Sequence, residues 1–264
     1  MEMTLFQVDA FSNKVFGGNP AAVCPLETWI PDELMQAIAT ENNLSETAFF
    51  VRENDAFHLR WFTPEAEVKL CGHATLASAH VLFQHLDFQE NLVHFDTLSG
   101  RLTVSRQDDW LEMDFPLLDL PEIKRPPRLD ATLGCEVLEV FGGYDLIAVV
   151  RDEAVLGALQ PDPIGLLELP CRGIAVTAQG QDCDFVSRAF YPKLGIPEDP
   201  ATGSVHCQLV PYWAGRLGKT KLSARQLSKR GAELRCRLND GRVGIAGQAV
   251  TFMEGRITVK PRRS

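Results

Sequence analysis

Residues 43–51, NLSETAFFV, alternate so that Leu44, Glu46, Ala48 and Phe50 share one face of a strand, which sets a carboxylate on an otherwise apolar stripe. Burial of a carboxyl group without a cationic partner raises its pKa toward neutrality, and a base that takes a proton from carbon needs that property. The same alternation fits an edge face open to water. A second cluster, residues 198–204 (EDPATGS), sets Asp199 just ahead of a glycine that opens a helix, where a carboxylate either caps free amides or faces a ligand. Cys71, immediately before Gly72, is a third candidate, because a helix N-terminus lowers a thiol pKa and favours the nucleophilic thiolate.

Two helix starts must position these groups. In residues 70–83, LCGHATLASAHVLF, Gly72 opens a helix whose first turns carry only small side chains, and unpaired amides at such an end hold anions such as a carboxylate. Residues 187–212 repeat the order arginine, aromatic, proline, loop, glycine. Arg60, Phe62, Pro64 and Gly72 thus correspond to Arg188, Phe190, Pro192 and Gly203, and His73 to Ser204. Two lobes that each aim a helix N-terminus predict a cleft holding one small anionic ligand. His73 at such a rim could equally pack or bond to backbone. Cys71 corresponds to Thr202, which cannot act as the second base of a two-thiol racemase at neutral pH, while Cys207 reads as core. Asn19, after Gly17 and Gly18, reads first as turn chemistry and is counted with Gly72, Gly203 and Ser204 as a candidate substrate contact.

Strand patterns at 5–11, 45–52, 57–63, 92–97, 101–106 and 110–115 surround the helix at 70–83, and a further helix is expected at 32–40. Four prolines between 116 and 127 predict an interdomain linker, giving lobes of 1–117 and 118–250. The second half repeats the inventory, with Pro211 expected to bend or loosen its central helix, and the terminal strand near 251–260 expected to return to the first lobe. The fold class is α+β.

A net charge of -9 over 264 residues argues against nucleic acid as partner; the only basic run, 260–263, reads as a solvated tail. No apolar run is long enough to span a bilayer, and the N-terminus does not read as a signal peptide. Seven cysteines without close pairing fit a reducing cytoplasm. Neither C-x-x-C nor H-E-x-x-H occurs and the six histidines are scattered, so the spacing predicts no metal site. Glycine-rich nucleotide loops and serine-hydrolase elbows are also missing.

The segments VDAF, GGNPAAV, NLSETAFF, LCGHATLASA and EDPATGSVH occur in an order that resembles the phenazine-biosynthesis PhzF-like family along nearly the whole chain. The resemblance implies a fold like that of diaminopimelate epimerase, with two pseudo-symmetric lobes, each a curled, mostly antiparallel sheet around a central helix. It further implies a cofactor-independent isomerase that moves a proton on a small carboxylate-bearing substrate, often as a homodimer. Glu46 then matches the family's catalytic carboxylate, and His73, Asp199 and Ser204 its supporting polar residues. The sequence departs from the family at 226–234, QLSKRGAEL, where the glycine-rich run is only loosely matched. Two other readings stay open: an epimerase or racemase using Cys71, and a non-catalytic protein that binds small anions.

Overall fold

Alternation of buried and open positions from Glu2 to Ala10 makes the first strand, which pairs antiparallel on one side with Asn19–Leu26 and on the other with Ala249–Thr258. The computed structural model describes residues 1–259, so the basic run from Lys260 lies outside the described residues. Contacts divide the chain into two units: Met1–Asp114 with the chain from Ala246 onward, and Phe115–Ile245.

In the first unit Asn19–Leu26 runs parallel to Glu46–Glu53, which turns back through Asn54, at φ 56°, into Ala56–Phe62. Ala56–Phe62 runs parallel to Leu92–Thr97, and an antiparallel meander continues through Gly100–Gln107 to Trp110–Pro116. The helix Gly72–His85 packs against Glu2–Ala10, Asn19–Leu26, Glu46–Glu53 and Ala249–Thr258. From His73 to Phe83 only His80 escapes full burial, as expected of a helix that is apolar or small on every side. Ala74, Ala77, Ser78 and Ala79 leave room for the strands to close around it. The opposite strand face, with Met3, Leu5, Ala22, Cys24 and Phe49, buries Met35, Ile38 and Ala39 of the helix Asp32–Asn42.

The second unit has the same plan. Leu146–Val149 lies between Glu139–Phe141 (antiparallel) and Ile174–Gln179 (parallel). Phe185–Tyr191 then pairs antiparallel with Ile174–Gln179 and parallel with Lys221–Gln226, whose antiparallel neighbour is Ala232–Asn239. The helix Gly203–Leu217 packs on Lys221–Gln226 and Ala232–Asn239. Pro211 does not interrupt it: the helix is assigned continuously on both sides of the ring, and Trp213 Nε1 beyond the proline donates to Thr177 Oγ1 at 2.9 Å. The proline-rich stretch is not a free tether either. Ile123 N donates to Val140 O, and Gly142 N to Pro121 O, so it lies along Glu139–Phe141 as part of the second unit.

One interaction recurs at matched places in both units. Arg60 grips Glu67 through Nε and Nη2 at 2.7 and 2.8 Å, and Arg188 grips Glu198 through the same atoms at 2.7 and 3.0 Å. Each guanidinium also lies 5.2 Å from the ring centroid of the aromatic two residues on, Phe62 or Phe190. The arginine side chains are only 15% and 13% exposed, so loss of either fork strands a poorly solvated carboxylate. Arg60→Met and Arg188→Met are each expected to lower unfolding free energy by about 2–3 kcal/mol in urea titrations, against about zero for a surface pair.

His206 sits fully buried in the second helix. Its Nδ1–H donates to Thr202 O at 2.7 Å, while Nε2 has no partner among the described residues. A proton on Nε2 would therefore be buried unpaired, and burial pushes the imidazole down to about 4. The unfolded chain takes up that proton near pH 6.5 and the folded chain does not. Stability is therefore full above pH 6.5 and falls as pH drops toward 4, by about 3 kcal/mol for this residue. Urea midpoints measured from pH 7.5 to 4.5 should fall accordingly, with a shallower slope in His206→Gln.

Candidate active site

A tight turn brings Asn19 to the start of its strand. Gly18 has φ +59°, and a Cβ there would stand 2.0 Å from Ala10 O, so only glycine lets the chain reverse and pair Asn19 with Ala10. The parallel register then aligns Ala21 with Glu46, at the head of Glu46–Glu53. Ser45 Oγ reaches Asn19 Oδ1 at 3.5 Å, and Asn19 Nδ2, fully buried, lies 3.3 Å from His73 Nδ1. His73 Nε2 in turn lies 3.1 Å from Glu46 Oε2. The fold thus supplies the cationic partner that the strand pattern of Glu46 did not reveal. The fit is incomplete, because no donor among the described residues is aligned on Glu46 Oε2, which is buried.

Cys71 closes the group, with Sγ 3.6 Å from His73 Nδ1 and 4.0 Å from Nε2. Burial and then the charge of Glu46 push this thiol up to about 11, outweighing the helix-start and imidazole effects expected to lower it. Burial alone would lower His73, but its close contacts with Cys71 and Glu46 hold it well above the usual imidazole range. At neutral pH this favours a thiol at Cys71 and an imidazolium at His73. Cys71 is the N-cap of Gly72–His85, and no side chain among the described residues caps that helix. Sequence spacing predicted no metal-type cluster, yet Glu46, Cys71 and His73 bring a carboxylate oxygen, a sulfur and a ring nitrogen within 4.8 Å of one another.

In the second unit Asp199 ends the strand Ile196–Asp199. Its Oδ2 accepts from Thr202 Oγ1, a hydroxyl contact at the place where the sequence suggested either capping of helix amides or contact with a ligand. Thr202 is the N-cap of Gly203–Leu217, again without a side-chain cap among the described residues, and Ser204 is half-buried in the first turn. Gln226, read only as the edge of a loosely matched run, holds this loop: it donates to Asp199 O at 2.7 Å and to Thr202 Oγ1 at 3.2 Å, and accepts from Thr202 N at 2.9 Å. Its only sequence signal was a polar residue at the end of a strand pattern. Glu46, His73 and Asn19 therefore meet beside Gly72 in the first unit, and Asp199, Gly203 and Ser204 belong to the second.

A family model described as phenazine biosynthesis-like protein, PhzC-PhzF, matches residues 8–255. An uncharacterized isomerase of Pseudomonas aeruginosa is 52% identical over 258 residues, covering 97% of this chain and 99% of that protein. A crystal structure of a PhzF-family phenazine biosynthesis protein from Enterococcus faecalis superposes with a TM-score of 0.97 at 47% identity, covering 98% of this chain and all of the other. A predicted epimerase from Pseudomonas aeruginosa shares the fold at a TM-score of 0.75 and 20% identity, over 98% of this chain and all of that one. The relatives define an isomerase, and its α+β fold is one that the predicted epimerase shares. Within that class, the chain belongs to the PhzC-PhzF phenazine biosynthesis-like family.

The thiol's surroundings set a chemical expectation. Cys71 should be alkylated slowly by iodoacetamide at pH 8, with a rate that keeps rising toward pH 11, and Glu46→Gln should shift that profile to lower pH by removing a neighbouring negative charge. Peptide mass spectrometry resolves this cysteine from the other six.

Proposed function

We propose that this isomerase is cofactor-free, and that Glu46 removes a proton from a carbon next to, or vinylogous with, the carboxylate of a small substrate and returns it elsewhere. The observation that carries this reading is the buried Glu46 Oε2, which lacks an aligned donor and lies 3.1 Å from His73 Nε2. Such an oxygen is free to take a proton, and a neighbouring imidazolium can supply one, so the pair offers base and acid together. The amides that open the helix at Gly72, which no side chain among the described residues caps, suit the substrate carboxylate and the charge that develops as the proton leaves.

Asp199 and Ser204 enter the reading through their place in the residue pattern, with Asp199 assisting reprotonation. Asn19, fully buried against His73, acts here by holding the imidazole rather than by touching substrate. A homodimeric, cytoplasmic protein belongs to the same reading, which light scattering on the purified chain and cell fractionation test directly. A thiol-based epimerase has less support, because a thiol held near 11 is a poor source of thiolate at neutral pH.

Exchange of substrate hydrogen for deuterium in heavy water, screened across small carboxylates, tests the chemistry. Glu46→Gln should lower exchange by about 10²–10⁴-fold, while Cys71→Ser should retain most of it. The reverse pattern would replace the carboxylate mechanism by a thiol one, and tight binding without any exchange would leave only an anion-binding protein. Asp199→Asn should show a loss in kcat with little change in KM if the residue serves reprotonation.

A further inference from the structure

The far end of the helix Gly72–His85 meets the final strand, Ala249–Thr258, through side chains that the proton chemistry at Glu46 does not use. Thr251 Oγ1 lies 2.7 Å from His85 Nε2 and 2.9 Å from His80 Nε2, and His85 Nδ1 lies 3.8 Å from Glu254 Oε2. In a regular strand Thr251 and Glu254, three residues apart, point to opposite faces. The register with the first strand slips at this place: Val8 pairs with Thr251 and Gln7 with Met253, which leaves Phe252 as an extra residue. The bulge brings both side chains to one imidazole, and re-aiming a side chain in this way is a recurrent use of bulges beside reactive groups.

A hydroxyl has one proton to give, so Thr251 donates to only one of the two ring nitrogens. Glu254 draws the His85 proton to Nδ1, which leaves His85 Nε2 to accept from the Thr251 hydroxyl. His80 Nε2–H then donates to the same oxygen. Burial and the neighbouring His85 push His80 down to about 4, so at neutral pH it stays uncharged and does not compete for the proton. Phe6, with its ring centroid 4.6 Å from that of His85, fixes the orientation of the imidazole.

We propose that Thr251 is the nucleophile of a second catalytic site, with His85 as its base and Glu254 orienting that base, and that its substrates are small carboxylic esters. A hydroxyl within hydrogen-bond reach of an imidazole whose other nitrogen faces a third group is the arrangement that activates an alcohol for acyl transfer. Thr251, His80 and His85 line a cavity of about 510 Å³, large enough for a small molecule. Phe83, Leu111 and Val250 give it apolar wall for an acyl chain, and Arg106, Gln84 and Gln248 line it with N–H groups of the kind that hold a developing oxyanion.

Thr251 Oγ1 bonds to the ester carbonyl carbon while His85 Nε2 takes the hydroxyl proton. The bond from that carbon to the leaving alcohol then breaks, and His85 gives the proton to the alcohol. Water, deprotonated by the same nitrogen, releases the carboxylic acid from the acyl-threonine and restores the hydroxyl.

The purified full-length chain with p-nitrophenyl acetate provides the test. Expected are release of nitrophenolate faster than in buffer and, after acid quenching, one acetyl group on the peptide that carries Thr251. Thr251→Val and His85→Gln should each lower kcat/KM by at least about 10²-fold, Thr251→Ser should keep most of the rate, and Glu254→Gln should lower kcat with KM unchanged. Far-ultraviolet circular dichroism checks that each variant is folded. Hydrolysis no faster than in buffer overturns the proposal. A wild-type rate in Thr251→Val, or an acetyl group found only on histidine, overturns it equally, because the imidazole would then be the nucleophile. None of these side chains belongs to the group at Glu46, so ester hydrolysis and deuterium exchange are decided separately.

Discussion

The bidentate pairing of an arginine on one strand with a glutamate on the returning strand, Arg60 with Glu67 and Arg188 with Glu198, fixes where each helix begins. Each glutamate stands five residues before the glycine that opens its helix, so the fork sets the path of the short segment carrying Cys71 or Thr202. The third arm of each guanidinium goes to a peripheral helix or its end: Arg60 Nη1 to Asp32 Oδ1, and Arg188 Nη1 to Leu159 O. A lysine offers no planar fork of this kind, and the aromatic under each arginine completes a slot shaped for guanidinium.

Around this frame the first unit accepts a local conflict. Glu46 heads a strand whose next five residues are buried, and its Oε2 is buried with no aligned donor among the described residues. His73 answers the charge but not the geometry. Partial satisfaction is a poor arrangement for stability and a good one for a group that must gain and lose a proton, which is why such compromises collect at functional sites. In the second unit the corresponding helix start is quieter. Asp199, Thr202 and Gln226 satisfy one another, and the position matching Cys71 carries a hydroxyl.

Much of this was legible in the sequence where the signal is local. The carboxylate on the apolar face at 44–50, the glycine that opens each helix, and the arginine–aromatic–proline echo all depend on period or order within a few residues. Contacts across longer stretches of chain were not legible. Asn19 meets His73 and Gln226 meets Thr202 only because strands are laid side by side in a register that spacing does not disclose. The sulfur, nitrogen and oxygen around Glu46 escaped for the same reason, since motif spacings describe ligands on one element, whereas these come from a strand and a helix. At Pro211 propensity predicted a bend or a loosened middle, and the helix runs unbroken past the ring and packs on two strands.

Pairing of Glu2–Ala10 with Ala249–Thr258 makes the first unit discontinuous along the chain, with the whole second unit inserted within it. As the polypeptide leaves the ribosome, the inserted unit has all its strands before the outer one has its last. The outer unit, which carries Glu46 and His73, must therefore wait with one side of its first strand unsatisfied until Ala249–Thr258 has been made. The order of synthesis thus places completion of the unit that carries Glu46 and His73 after synthesis of the inserted one.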